Sequence, residues 1–473
     1  MLDSIRNRYD SLMTRVKSTP ASYSSLPFPT APTLPFYRSY PIYTVPGVVV
    51  SRAPQLLRRY RALFWCIFGI LLFCATGLIA QRFGPLLSTD ARKWSYDIPA
   101  GVDTHACFPG DEWKPTTGLI VNGLPYSRMA TINVTLAGAL ALISRGQLST
   151  GEIVYTTSPL QTAGTVSINL QAWFQRHELM GLVKACAITR NQSGGSGVGL
   201  FTPNWRWPGP IRLEDRMKFT TTVVLPRGSK TLPTKIDGLF SDLPNTSVKM
   251  HDLADVSFSD VRLLSTNGAI EVEYLRSTQG AHVSTTNGAV SGKFDAGSSV
   301  DIRTTNEKVD VDVGLYHDGT YAMGQLDVQT TNGKIRADIN LASSIYTGGH
   351  FEINTMTSEA ESSVRIGTAP LGSTLRIQSH TRNAPAELTL PSTYEGQFVA
   401  ANTAWSKIRI NADKYARDPS GGWRMRNLVS YPNLEDSRGH VKSGKTFWGF
   451  DSEKSSMGYA MLSTTGDMAT LNM

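Results

Sequence analysis

The sequence predicts a mainly β protein: a β-solenoid or β-helix-like repeat domain joined to an N-terminal β layer, preceded by one transmembrane helix and a disordered tail. Three observations predict it. A short pattern centred on Asn returns four times between Val261 and Ile339. Apolar residues alternate with period two on both sides of each Asn. Nineteen consecutive uncharged residues, 62–80, stand well inside the chain.

The copies read Val261-Arg-Leu-Leu-Ser-Thr-Asn267-Gly268, Ala281-His-Val-Ser-Thr-Thr-Asn287-Gly288, Val300-Asp-Ile-Arg-Thr-Thr-Asn306-Glu307 and Leu326-Asp-Val-Gln-Thr-Thr-Asn332-Gly333. Each is followed by a second alternating run, such as Ile270, Val272, Tyr274 or Val309, Val311, Val313. The flanks are therefore strands with one buried face, and the residues between them are turn chemistry. Asn-Gly tolerates positive φ, so the corners are expected to use it, with Asn306 alone in the left-handed region where Glu307 replaces Gly. Successive Asn residues are 20, 19 and 26 apart, the longest step holding an inserted loop from Gly314 to Gly324. Two architectures suit the pattern. In a hairpin meander the flanks pair with each other. In a solenoid each copy pairs with the next, so that Asn stacks on Asn and Ser/Thr on Ser/Thr. The solenoid is preferred. Looser copies at Phe351–Ile366 and Leu375–Leu390, and a further coil from Phe398 to Ile410, extend it.

From its start, the chain opens with a basic tail rich in Pro, Ser and Tyr. Residues 1–61 hold nine Arg/Lys against Asp3 and Asp10, a net +7 of the whole chain's +8. The charge thus belongs to the tail, which argues against nucleic acid as a partner, and the tail lacks the periodicity of a packed element. The run Ala62 to Ala80 would span about 28 Å as a helix, close to a bilayer's hydrocarbon core, which makes the lipid bilayer a partner. It lies too deep for a cleaved signal peptide and reads as a signal anchor. Arg58, Arg59 and Arg61 precede it directly, predicting a cytoplasmic N-terminus and a single-pass type II topology with the C-terminal part outside the cell or in a lumen.

After a linker at 81–96, residues 97–250 read as an irregular β region and 251–473 as the repeat domain, with the boundary near Pro233 to Pro244. Strands are expected at 152–156, 165–173, 182–189 and 217–225, and Ser193 to Gly197 as a flexible loop. Sequons occur at Asn133, Asn191 and Asn245, all beyond the span, marking expected glycosylation sites. Cys66 and Cys74 lie within the span, whereas Cys107 and Cys186 lie beyond it and are expected to form a disulfide in an oxidising compartment.

Catalytic chemistry is thin. His177-Glu178 opens like a zinc-binding helix, but Gly181 stands where the second His is needed. No nucleophile elbow, phosphate loop or paired Cys-x-x-Cys occurs, so catalytic, metal and cofactor residues are expected to be absent. In the solenoid register Asp301 would neighbour Asp327 and Asp312 would neighbour Asp338, close enough to bind Ca²⁺ or share a proton. Arg262, His282, Glu273 and Lys293 on the same columns point instead to a mixed solvated face.

The Thr-Thr-Asn-Gly copies resemble the adhesin-type β-solenoid repeats of bacterial and fungal surface proteins. The ending, Gly444-Lys-Thr-Phe-Trp448-Gly449 followed by Gly458 to Gly466 and Ala469 to Met473, is similar to that of fungal single-span proteins carrying such repeats behind a Pro-rich tail. The resemblance implies an exposed, non-catalytic surface domain for adhesion or for contact with wall or matrix glycans, the partner being a polysaccharide or another surface protein. The alternatives are a carbohydrate-active β-helix using the paired Asp, and a spacer without ligand.

Overall fold

The computed structural model describes residues 95–473 apart from 117–119, 192–193, 205–214, 320–322, 345, 404–405, 414, 432–439 and 452–457. The chain divides into Met1–Ala91 and Arg92–Met473, and only the second unit is among the described residues. Among them no helix is long and apolar enough to cross a membrane; the run at 62–80 and the basic tail lie outside.

The described protein is mainly β, and its strands pair in parallel from one repeat to the next. Val300 to Arg303 lies in register on Leu326 to Gln329, and Val309 to Val313 lies in register on Ile335 to Ile339. Like residues stack on like, which excludes the hairpin meander. Each coil contributes two strands, one to each of two facing sheets. From Val256–Leu264 and Ile270–Ser284 onward, the coils follow chain order through Val290–Ala296, Ser299–Arg303 with Val309–His317, Gly324–Gln329 with Ile335–Ser343, His350–Met356 with Ser362–Thr368, and Thr374–His380 with Ala386–Thr389.

The ends depart from chain order. Ala139–Arg145 and Gly151–Ser158 form a coil that sits between the coil of Gly195–Phe201 with Met217–Pro226 and the coil of Thr234–Asp242 with Thr246–Asp252. At the other end, Gly458–Thr464 and Ala469–Asn472 sit between Thr374–His380 with Ala386–Thr389 and Gly396–Asn402 with Ile408–Asn411. The stack therefore reaches well back into the region read as irregular β. Those early coils lack the Asn-Gly signature because their corners are built differently, at Gly146 with positive φ for example, between Ala139–Arg145 and Gly151–Ser158.

Antiparallel strands close the stack. Thr165–Phe174 and Lys184–Arg190 cover the two edges at one end, and Val441–Trp448 followed by Arg426–Ser430 covers one sheet at the other. Covering an edge occupies backbone groups that would otherwise recruit another strand. The expected loop at Ser193 to Gly197 is partly strand, since Gly195–Phe201 pairs with Ala139–Arg145. Its glycine serves close approach, because a Cβ on Gly197 would lie 1.6 Å from the carbonyl oxygen of Ala141.

One continuous apolar core runs between the sheets from Trp113 to Met473, filled by the inward positions of every coil: Val261, Leu263, Val283, Ile302, Val328, Ile353 and Ile377 in one sheet and their counterparts in the other. A coil can bury its inner face only against its partner sheet and its neighbours, which couples the repeats. A smaller cluster, Ala141, Ile143, Cys186, Ile188 and Phe201, lies apart from it. Consequently the strand Ala139–Arg145 is buried at alternate and intervening positions alike.

Candidate functional site

The corners carry two hydrogen-bonded ladders along the stack, with an exposed row of Thr beside the first. The Asn267 amide donates to Oδ1 of Asn245 at 2.8 Å, Asn287 to Asn267 at 2.8 Å, Asn306 to Asn287 at 2.6 Å and Asn332 to Asn306 at 2.8 Å. In the next coil Glu359 takes the column, and Asn383 donates to it at 2.8 Å. Asn267, Asn287, Asn306 and Asn332 are exposed. Each amide nitrogen carries two N–H donors and the ladder uses one, so a second remains directed elsewhere on every rung. Beside this row stand the exposed Thr266, Thr286, Thr305 and Thr331.

Two residues before each position of the Asn column, a hydroxyl is turned inward. Oγ1 of Thr285 donates to the Gly268 carbonyl at 3.1 Å, Thr304 to Gly288 at 3.0 Å, Thr330 to Glu307 at 3.2 Å and Thr357 to Gly333 at 3.0 Å. The same hydroxyls of Thr285 and Thr330 accept the N–H of their own corner, at Gly288 and Gly333. Backbone groups with no ladder partner at the corner are thereby satisfied in a buried setting.

The expectation of positive φ at the corners is corrected here. Among the described residues the non-Gly positions with positive φ are Ala106, Asn122 and Tyr346, and neither the corner Asn nor Gly268, Gly288 or Gly333 is among the positive-φ positions. At these three corners the local backbone leaves no space for a side chain, although Glu307 and Ala360 take the equivalent place in their own coils: a Cβ on Gly288 would stand 2.0 Å from the Gly268 oxygen, one on Gly268 2.0 Å from that of Thr246, and one on Gly333 1.7 Å from that of Glu307. Glu307 is exposed and Asn306 keeps ordinary backbone angles, so that corner does not rely on Asn in the left-handed region.

The acidic columns are placed as the register implied. Asp301 is the strand partner of Asp327, and Asp312 of Asp338. Each carboxylate, however, meets a cation or a donor. Asp301 accepts from Nδ1 of His282 at 2.9 Å and from Nε of Arg303 at 2.9 Å, and Arg303 also reaches Asp327 at 3.3 Å. Asp312 faces Lys293 at 3.6 Å and the Asn340 amide at 3.3 Å, while Asp338 pairs with Arg365 at 2.5 Å. Partial burial pushes the Asp301 carboxyl upward, but the His282 hydrogen bond and the Arg303 guanidinium outweigh it and hold the group below the usual carboxylate range. A pair sharing one proton would show the opposite shift. Among the described residues, no group of three or more His, Cys, Asp or Glu is placed to hold a metal ion.

Cys107 and Cys186 form a disulfide, joining Val102–Pro109 to Lys184–Arg190 as direct register partners. Asn133 and Asn191 are exposed, whereas Asn245 is half-buried and heads the Asn ladder, its Oδ1 accepting from Asn267. His177 packs against Tyr126, with ring centroids 4.0 Å apart, and against Phe174 at 5.7 Å. A cleft of about 440 Å³ opens beside Asn122, Gln147, Thr150, Asp215 and Lys218, away from Asp301, Asp312, Asp327 and Asp338.

One feature escaped sequence reasoning. Asp418 accepts from Ser420 N–H at 3.0 Å, from its Oγ at 2.8 Å, and from the N–H, Nε and Nη2 of Arg424 at 3.2, 2.9 and 2.9 Å. Arg424, ahead of Ser420, holds the Asp418 carboxyl far below its ordinary range. This fastens a tight loop that presents Trp423 fully to solvent. The run Asp418-Pro-Ser-Gly-Gly-Trp423 was the available signal, since Asp followed by Pro, Ser and Gly is turn chemistry.

No family model and no curated protein matches the chain. Among solved structures it is similar to a putative cell adhesion protein from Clostridium sporogenes, at 7% sequence identity over 73% of this chain and 100% of that one, with a TM-score of 0.17. Similarity at that level carries no argument, and the fungal single-span resemblance has no matching family model behind it.

Proposed function

We propose that this is a membrane-anchored, non-catalytic surface protein that displays its coil stack for adhesion, through contact with wall or matrix polysaccharide. The observation that carries the reading is the exposed row of Asn amides and Thr hydroxyls, repeated at the strand spacing of about 4.8 Å. A sugar polymer offers hydroxyl donors and acceptors at regular intervals, and a ladder with one free N–H per rung complements it without any single deep pocket. The pairing of every carboxylate in the acidic columns with a cation or amide supports a role without catalysis. In this reading residues 62–80 anchor the chain, residues 1–61 face the cytoplasm, and the glycosylated domain faces outward.

Incubating the purified protein with insoluble wall and matrix polysaccharides tests this, with depletion from solution and released sugar measured together. Depletion without release is expected, weakened by Asn287→Ala combined with Asn306→Ala. Release of oligosaccharide that disappears in Asp301→Ala or Asp312→Ala would make the protein an enzyme instead. Endoglycosidase treatment should lower the mass through Asn133, Asn191 or Asn245; an unchanged mass together with a cytosol-accessible C-terminus would reverse the topology.

A further inference from the structure

The coil formed by Gly458–Thr464 and Ala469–Asn472 fills a slot between two coils that precede it in the chain. On one side it pairs in parallel with Thr374–His380 and Ala386–Thr389, on the other with Gly396–Asn402 and Ile408–Asn411. Inward, Ala460, Leu462, Ala469 and Leu471 are buried between the sheets.

Recognition within the slot is specific in register and direction. The N–H groups of Thr381, Ala386 and Leu390 donate to the carbonyls of Ser463, Met468 and Asn472 at 3.0, 3.0 and 2.9 Å. From the opposite side Thr403 and Asp413 donate to Thr464 and Met473 at 3.2 and 2.9 Å, and Met473 donates to Asn411 at 2.8 Å. At the corner Thr464 Oγ1 donates to Ala384 at 2.9 Å, and the Asn472 amide donates to Glu387 at 2.8 Å while accepting from Asn411 at 2.8 Å. A segment seated here must run parallel to both neighbours, place small and branched apolar residues inward, and carry a hydroxyl at its corner. Another copy of this chain offers that same segment.

We infer that residues 458–473 are a donor strand pair, and that the slot is a binding site for this segment of a second copy, so that exchange links chains through their stacks. Nine residues, 449–457, separate the segment from the strand Val441–Trp448. Emptying the slot leaves two unpaired strand edges on each side, which is the condition under which a strand from outside is captured.

Register makes the exchange readable. Gln378 and Met461 are direct partners across one side of the slot, whereas Tyr459 is the partner of Arg376. Full chains carrying Gln378→Cys are mixed with full chains carrying Met461→Cys, passed through mild denaturant and back, and oxidised. A disulfide-linked dimer joining residues 378 and 461, located by peptide mapping, is the expected product. The Tyr459→Cys chain should yield less than about a tenth as much, because its thiol sits two residues out of register. Free peptide 458–473 should suppress the dimer, and the same peptide with Leu462→Glu and Leu471→Glu should need at least about 100-fold more. A single chain with both Gln378→Cys and Met461→Cys should close the bond internally, showing that the variants fold. Absence of that internal bond, absence of the mixed dimer, or equal linking by Tyr459→Cys would each overturn the proposal.

Discussion

Asp301 and Asp327 are direct partners across neighbouring strands, and the Arg303 guanidinium is bonded to both, at 2.9 Å and 3.3 Å. Two acids brought side by side by a repeat would repel if left alone. The cation between them turns a repulsive juxtaposition into a half-buried network that also includes His282.

This relationship predicts a pH dependence. Because the folded-state pKa of Asp301 is depressed, its contribution is present above the unfolded-state value near 4 and is lost as pH falls through the lower folded value. Asp301→Asn should therefore lower the melting temperature at pH 7 while flattening the decline below about pH 4. Thermal melts of both proteins from pH 2 to 7 check it; parallel curves would show that the network adds nothing.

Removing one buried rung tests the hydroxyl ladder. Thr304→Val deletes the bond to the Gly288 carbonyl and leaves that oxygen without its partner in a closed corner. A loss of about 1–3 kcal/mol is expected from urea unfolding at unchanged m-value, with Thr304→Ser recovering most of it.

The corner glycines should be intolerant for reasons of space. Gly288→Ala places a methyl group 2.0 Å from a backbone oxygen that cannot move without shifting the preceding coil. We expect a cost of about 3 kcal/mol or more. Gly181→Ala, where nothing lies within 4 Å, should stay within about 0.5 kcal/mol. Comparable melting temperatures for the two variants would refute the steric account.

The disulfide closes a segment with a sequence separation of 79. On the loop-entropy view, Cys107→Ser with Cys186→Ser should cost about 4.5 kcal/mol, seen as a lower denaturation midpoint that reductant no longer changes. Non-reducing peptide maps should link the two cysteines in the unaltered protein.

The repeat made much of this architecture legible in one dimension. Period-two flanks around Asn267, Asn287, Asn306 and Asn332 specified strands, inward residues and, through a common offset from the repeated Asn, the pairing of Asp301 with Asp327 and of Asp312 with Asp338 in a stacked register. Those features depend on local patterning repeated around each Asn, which sequence records directly. Parity could not choose between hairpin and stack, because both bury the same alternate residues. Only long-range backbone pairing decided it.

The tertiary structure also reassigned the glycines: Asn-Gly suggested a positive-φ turn, whereas Gly268, Gly288 and Gly333 are needed because the neighbouring coil's backbone passes where a Cβ would be. It placed the coils at 139–158 and 458–472 out of chain order, fastened Trp423 on the Asp418 loop, and set a cation or amide against each acidic partner. Each of these depends on which distant segments become neighbours. Sequence by itself determined the strand periodicity, the buried columns and the uncharged run at 62–80; the order of the coils, the space at their corners and the charge around each acid were decided only when the chain closed on itself.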